Sequence, residues 1–395
     1  MKKRVGILLP SINAGGAERA ATRITKILSD EYDVFLILFS DQYLKYEYDG
    51  DLINLGIGFS DSKNIFSKLT DVMKRTYRLR REKKKLNLDV VISFMDTPNL
   101  VNVLSRTSKC NVITSVRNYD FVNKKIISKI VYRLVHYQSD LIITVSEYIK
   151  ESLNKELKIP LEKIETIYNP YNVKHIVEES MEDTNIFDNN YKKFRFVSVG
   201  RIVYQKGFWH LIKAFKIVNS INPNTELIII GRDESDGKAE QLVKKLELQN
   251  SVKFLGYQKN PFKFVRKCDV YVLSSLFEGF PNSLVEAMAL GKPVIASNCK
   301  SGPLEILNDI TELEITDVFL AKYGILIPDL DKNENWNIND EKQYSFFLSE
   351  AMRLIMNNSQ IYMDFSEKSL QRANDFNYQV CGEKYAQEIN KLLND

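Results

Sequence analysis

"VYVLSSLFEGFPNSLVEAMALGKPVIAS" spans Val270–Ser297 and reads as one β-α-β step. Val270–Leu273 is a short apolar strand, and "SSLFEGFPNS" is the loop past its carboxyl end. "SLVEAMAL" is the following helix, closed by Gly291 just past its end and by Pro293. Pro293–Ala296 then opens the next buried strand. Two glutamates, Glu278 and Glu286, interrupt this apolar setting at a spacing of eight positions. Glu278 falls in the loop. Glu286 falls inside the helix among Leu284, Val285, Ala287 and Met288, a neighbourhood that disfavours a fully exposed carboxylate.

In open α/β sheets, ligands sit beyond the carboxyl ends of the strands. The loop therefore faces a ligand. The backbone N–H groups of Phe280 and Asn282 can meet an anion, and the carboxylates can accept hydrogen bonds from hydroxyls. A diphosphate with hydroxyls describes a nucleotide sugar. The plainer alternative is a capping Glu278 and a solvated Glu286.

The same grammar runs through the chain. "RVGILLP" (Arg4–Pro10) is a buried strand, followed by a Gly-bearing loop and a helix with Ala17, Ala20, Ala21, Ile24, Ile27 and Leu28 at helical spacing. "DVFLILF" supplies the next strand. The pattern restarts at "FRFVSVGR" (Phe194–Arg201), where Phe208, Leu211, Ile212, Phe215 and Val218 mark a helix before "TELIIIGR". Continuous Val/Ile/Leu strands alternating with amphipathic helices indicate parallel sheets covered on both faces. The expected architecture is α/β, with two doubly wound domains in series. The Pro/Asn-bearing stretch from "TIYNPYNVKH" to "NNYKKF" links them. Neither domain has GxGxxG after its first strand, nor a Walker A sequence, which disfavours a hydride-transfer enzyme or a P-loop NTPase.

Two further constellations sit at strand ends. "PSINAGGAERAA" places Gly15 and Gly16 between the first strand and first helix, where glycine lets a backbone approach an anion. A plain β-α turn accounts for them equally well. "SVGRIVYQKGFWHLI" places Arg201 at a strand end, with Lys206 and Gly207 at the helix start. These cations would converge on a diphosphate, the alternative being two solvated charges.

Composition narrows the class. The 395 residues suit two domains, and 44% hydrophobic with 27% charged residues allows large cores. Cys110, Cys268, Cys299 and Cys381 form no CxxC and read as reduced cytosolic thiols. His136, His175 and His210 stand apart from one another and from cysteine, so a zinc site is not expected. No apolar run approaches the roughly 18–20 residues of a membrane span. The net charge of +4 conceals a basic N-terminal part and a mildly acidic remainder. "DSKNIFSKLTDVMKRTYRLRREKKK" (Asp61–Lys85) holds ten Lys/Arg and three acids around a stripe of Ile65, Phe66, Leu69, Val72, Met73 and Tyr77. It reads either as an interfacial helix for an anionic membrane, with Arg78, Arg81, Lys84 and Lys85 as the contacts, or as an ordinary solvated face. Nucleic acid lacks support, since no recognition fold or aromatic platform is evident.

"EGFPNSLVE" (Glu278–Glu286) resembles the E-x7-E motif of retaining glycosyltransferases of the GT-B fold, especially glycosyltransferase family 4 (group 1). "GGAER" near the start, "GR" and "KG" around Arg201 and Lys206, "SGPLEIL" and "GILIP" extend the resemblance across both domains in the family's order. It implies two Rossmann-like domains facing a cleft that holds the active site. The boundaries are residues 1–168, a linker at 169–190, a nucleotide-sugar domain at 191–375, and a C-terminal helix at 376–395 returning to the first domain. It implies donor binding by Gly15, Gly16, Gly200, Arg201, Lys206, Glu278, Gly279, Phe280, Pro281, Asn282, Ser283 and Glu286. Glu286 would take the ribose hydroxyls, Glu278 a donor-sugar hydroxyl, and Arg201 and Lys206 the leaving diphosphate. Many relatives carry a histidine where this chain has "TSVRNYD", so Arg117 joins Arg201, Lys206 and Glu278 as a catalytic candidate, with Asp96 and Asp120 as further polar candidates. "DLD" (Asp329–Asp331) matches a metal motif of the other large glycosyltransferase fold but reads as a turn. No metal or other cofactor is expected.

The expected activity is retaining transfer of a sugar, from a UDP-sugar, to a glycan or polyprenyl-diphosphate-linked acceptor in surface polysaccharide or glycoconjugate synthesis. The expected location is cytoplasmic, peripheral at the inner face of the cell membrane. The alternatives are a nucleotide-sugar epimerase on the same scaffold and a non-catalytic membrane-associated scaffold.

Overall fold

The computed structural model describes residues 2–12, 15–41, 46–58, 65–184, 186, 193–338 and 343–394, without the side chains of Ile65, Asp120, Asn123, Gln343 and Tyr344. They form two compact units, Met1–Tyr171 with Phe376–Asp395, and Asn172–Asp375.

The first unit alternates strands and helices: β1 (Arg4–Leu9), α1 (Gly16–Leu28), β2 (Asp33–Leu38), β3 (Asp51–Asn54), α2 (Ile65–Lys85), β4 (Val90–Phe94), α3 (Asp96–Leu104), β5 (Asn111–Val116), α4 (Ile126–Tyr137), β6 (Leu141–Thr144), α5 (Glu147–Leu157) and β7 (Ile164–Thr166). Its seven strands pair in the order β3-β2-β1-β4-β5-β6-β7, all parallel. The centre of the sheet is continuously apolar because helices cover both faces. On one face, Ala21, Ile24 and Leu28 of α1 share a core with β1 and β2. On the other, Leu79 of α2 and Val101 of α3 pack with Leu8, Ile37 and Val91.

The second unit runs α6 (Val173–Ser180), β8 (Phe194–Val199), α7 (Phe208–Ile221), β9 (Thr225–Ile230), α8 (Lys238–Lys245), β10 (Val252–Phe254), α9 (Phe262–Arg266), β11 (Val270–Leu273), α10 (Asn282–Ala289), β12 (Val294–Ser297), α11 (Pro303–Asn308), β13 (Phe319–Leu320), β14 (Ile325–Ile327), α12 (Gln343–Asn357) and α13 (Ser359–Asn374). Its sheet order is β10-β9-β8-β11-β12-β14-β13. The β13–β14 edge pair is antiparallel, which the all-parallel expectation missed. The short connection between the two strands, with Ala321 N donating to Gly324 O at 2.9 Å, leaves no room for a crossover helix.

Within the stretch read as a linker, residues 169–190, Val173–Ser180 forms α6, whose start is capped by Asn172 Oδ1 accepting from His175 N at 3.0 Å. The chain re-enters the first unit beside the point where it left. Tyr171 N donates to Phe376 O at 2.9 Å, and Tyr378 N to Tyr171 O at 3.1 Å. The final helix, α14 (Tyr378–Asn394), then buries Cys381, Tyr385 and Ile389 against the α1 face. Gly382 is the contact point: a Cβ there would lie 2.5 Å from Ile27 Cγ2. The four cysteines are buried and free.

Candidate active site

The quoted segment folds as read, and the structure ties it to two neighbouring strand ends of the second unit. β8 ends at Val199, and Gly200 and Arg201 follow. The chain then makes a single 3₁₀ turn over Tyr204–Lys206 and enters α7 through Gly207 at φ +57°. Gly207 has a specific reason to be glycine. Beyond its left-handed φ, a Cβ would stand 2.3 Å from Ser274 O at the end of β11. That close approach lets the two loops zip together. Ser274 Oγ donates to Lys206 O at 2.9 Å, Leu276 N to Gln205 O at 2.8 Å, and Gln205 Nε2 to Phe277 O at 2.9 Å.

The zipper brings Lys206 to Glu278. Lys206 Nζ lies 2.5 Å from Glu278 Oε1, and Ser275 Oγ donates to the same oxygen at 2.6 Å. Both charged side chains are largely buried. The stem of Lys206 runs over Gly200, where a Cβ would be 3.3 Å from Lys206 Cε. The loop after β12 clamps the far side: Glu278 N donates to Lys300 O and Ser301 N to Glu278 O, each at 2.9 Å, and Ser301 Oγ donates to Gly279 O at 2.9 Å. Glu278 is thereby fixed by backbone and side chain from three loops.

α10 begins directly after this clamp. Phe280 and Pro281 are buried, and Asn282 and Ser283 form the first turn, with no side chain capping it from Pro281. Glu286 is buried on the helix, 4% exposed, so the solvated alternative fails. Tyr271 of β11 lies within electrostatic reach of both carboxylates. Its hydroxyl donates to Ser283 Oγ at 2.7 Å. Burial raises its pKa, and the charges of Glu278 and Glu286 push it further in the same direction. Arg201, by contrast, is exposed, with Nη1 3.2 Å from Glu234 Oε2.

Tyr271, Ser275 and Ser301 were not singled out from sequence. Tyr271 sits at an inward strand position and reads as core, while Ser275 and Ser301 act through loop contacts that no local pattern specifies. Asp331 Oδ1 accepts from Asn333 N at 3.1 Å and Nδ2 at 2.9 Å, a side-chain-closed turn, and Asp329 lies 3.7 Å from Lys332. Among the described residues, no group of three or more His, Cys, Asp or Glu side chains could hold a metal ion.

The candidates of the first unit are placed differently. Gly15 is the residue before α1 and Gly16 its first residue. The Glu18 carboxylate folds over Gly15, so close that a Cβ there would stand 1.9 Å from Glu18 Oε2. Arg117 is engaged within its own unit. Nη1 donates to Ser115 Oγ at 3.2 Å, Nη2 donates to Asn169 Oδ1, and the guanidinium lies over Phe94. Burial lowers its pKa. Asp96 pairs with Lys124 at 2.7 Å, and the Asp120 side chain lies outside the described residues. On α2, Arg78 Nη1 donates to Leu55 O, Arg81 lies 3.2 Å and Lys85 3.9 Å from Glu82, and Lys84 is exposed. No helix among the described residues is long and apolar enough to cross a membrane.

The chain is similar to known glycosyltransferases over most of its length. The family model for glycosyl transferases group 1 matches residues 180–314, and that for Glycosyltransferase Family 4 matches residues 14–175. An uncharacterized glycosyltransferase of Methanocaldococcus jannaschii is 33% identical over 89% of this chain and 91% of its own. The N-acetylgalactosamine-N,N'-diacetylbacillosaminyl-diphospho-undecaprenol 4-alpha-N-acetylgalactosaminyltransferase of Campylobacter jejuni is 29% identical over 78% of this chain and 84% of its own. In fold, the chain is similar to an Anabaena protein solved with UDP and glucose, at a TM-score of 0.75 and 18% identity over 98% of this chain and 100% of that one.

Proposed function

Because the chain belongs to the group 1 glycosyltransferases of family 4, we propose that this glycosyltransferase moves a sugar from a UDP-sugar to a glycan or lipid-linked oligosaccharide acceptor, with retention at the anomeric carbon, in surface polysaccharide or glycoconjugate synthesis. The observation that carries the donor reading is the Lys206–Glu278 contact, built from the ends of two adjacent strands and backed by the buried Glu286. The lipid-linked acceptor is supported by the diphospho-undecaprenol substrate named for the Campylobacter relative, and the uridine nucleotide by the Anabaena complex.

In this reaction the bond from the anomeric carbon to the diphosphate oxygen breaks. A bond to an acceptor hydroxyl oxygen forms, and that hydroxyl's proton passes to the departing diphosphate. Negative charge grows on the departing diphosphate, so fixed cations there lower the barrier. Lys206 suits this role because an ammonium carries three N–H donors, and one given to Glu278 leaves capacity for phosphate oxygens. Glu278, its carboxylate held by the Ser275 hydroxyl, keeps that ammonium in place before the donor arrives. Arg201, exposed at the same strand end, is the second cation. Glu286 accepts from the ribose hydroxyls, and the second oxygen of Glu278 from a hydroxyl of the sugar. Arg78, Arg81, Lys84 and Lys85 supply positive potential toward an anionic acceptor or membrane. No metal is assigned a part.

The test is a panel of nucleotide sugars incubated with mixed lipid-diphosphate acceptors and read by mass spectrometry. One sugar increment on an acceptor, with release of UDP, is expected. Altered sugar on free nucleotide without an acceptor product would favour an epimerase, and no donor consumption would contradict the proposal.

A further inference from the structure

Helix α4 carries its apolar face outward. Tyr132, Val135 and His136 are its buried residues. His136 Nδ1 lies 2.9 Å from Thr114 Oγ1, and its ring sits 4.4 Å from that of Tyr132. The solvent side instead presents Ile126 and Ile127, 79% and 78% exposed, followed by Ile130, Val131, Leu134 and Tyr137, each at least 45% exposed. A single exposed isoleucine is ordinary, but six large apolar residues along one side of a twelve-residue helix are not. The stretch Lys124–Tyr137 contains no Asp or Glu, and its cations are Lys124, Lys125, Lys129 and Arg133. α3 touches both α4 and α2, and α2 presents a second outward stripe of Phe66, Leu69, Met73 and Tyr77.

We propose that α4 is an interfacial helix, whose apolar side enters the headgroup region of an anionic lipid surface while its exposed Lys125 and Arg133 meet the lipid phosphates, Lys124 and Lys129 being paired with Asp96 and Glu156. A stripe of this kind beside basic residues, on a helix with no acid, is the pattern of in-plane membrane helices. Charge selects the occupant. A second copy docked symmetrically through this face would set one basic, acid-free helix against another, whereas an anionic leaflet complements it. Position adds to the case. Ile126 and Ile127 open α4 just past the carboxyl end of β5, the edge of the sheet where ligands approach, and Lys124 ties that end to Asp96 at the start of α3. The inference deepens the proposed function by naming the surface from which a lipid-linked acceptor would be met. Its own grounds are the exposure and charge of α4.

Vesicle co-sedimentation tests this without turnover, so its outcome is separable from that of the transfer assay. The full chain is mixed with vesicles of phosphatidylglycerol and phosphatidylcholine, and in parallel with phosphatidylcholine alone. Wild type is expected to sediment with the anionic vesicles and to be released by salt. The triple variant Ile126→Gln, Ile127→Gln, Ile130→Gln should bind about tenfold or more weakly at an unchanged melting temperature. Lys125→Gln with Arg133→Gln leaves the stripe intact and should reduce binding and its salt dependence. Wild type that ignores anionic vesicles, or either variant sedimenting like wild type, overturns the proposal. So does a wild-type dimer that the triple variant converts to monomer, since a second copy would then be the occupant.

Discussion

Lys206 and Glu278 meet at 2.5 Å, although 72 residues separate them and each is carried past the end of a different strand. The close approach of Gly207 to Ser274 O makes the pair possible, and the pair explains why a buried loop tolerates a carboxylate. It also predicts that the two residues fail differently when changed. Lys206→Ala should lower kcat roughly 10²–10³-fold, the loss typical of removing one transition-state charge donor. It should also cost stability, because Glu278 is left buried with Ser275 as its remaining side-chain donor. Lys206→Met combined with Glu278→Leu should recover stability without recovering activity, as read by urea unfolding beside single-turnover rates.

Arg201 should separate chemistry from folding. It is exposed and paired only at the surface with Glu234, so Arg201→Ala should change unfolding free energy by no more than about 0.5 kcal/mol. Its kcat should nevertheless fall by more than its donor affinity, since its charge matters most as the diphosphate departs. Normal turnover by Arg201→Ala would move the phosphate site elsewhere.

The segments that set the fold were legible because their pattern is local. The Val270–Leu273 strand, the loop and the helix holding Glu286 could be read from apolar runs, Gly291 and Pro293. The pairing of Lys206 with Glu278 could not, because strand order decides it. α4 escaped notice for a different reason. Apolar residues at Ile126, Ile127, Ile130 and Leu134 have helical spacing whether the stripe faces the core or the solvent, and only the packing of Tyr132, Val135 and His136 decides which. The same ambiguity left the α2 stripe open, and its Phe66, Leu69, Met73 and Tyr77 turn out to face solvent.

His136 gives a pH signature. Burial holds its pKa down to about 4, from an ordinary 6.5. As pH falls through 6.5 the unfolded chain takes up a proton that the folded chain refuses. The stabilisation is therefore complete above that value and is lost between pH 6.5 and 4. The loss amounts to about 3 kcal/mol for a shift of this size. Urea unfolding at pH 7 and pH 5 should give a smaller difference for His136→Gln than for wild type, and equal differences would contradict the assignment.

Chelation should leave transfer largely intact if Lys206 and Arg201 balance the diphosphate. EDTA that abolishes activity, with recovery on adding a divalent cation, would return Asp329 and Asp331 to consideration as ligands despite the Asp331–Asn333 turn.

The most direct test of the donor site is titration calorimetry of UDP into wild type and Glu286→Ala. Glu286 is buried on α10, eight positions after the residue that holds Lys206, and its proposed task is to accept from the ribose hydroxyls. Losing a charged acceptor of this kind costs about 1.5–3 kcal/mol, so the variant should bind UDP at least about tenfold more weakly while remaining folded. UDP affinity unchanged within about twofold, against that expected loss, would contradict the account.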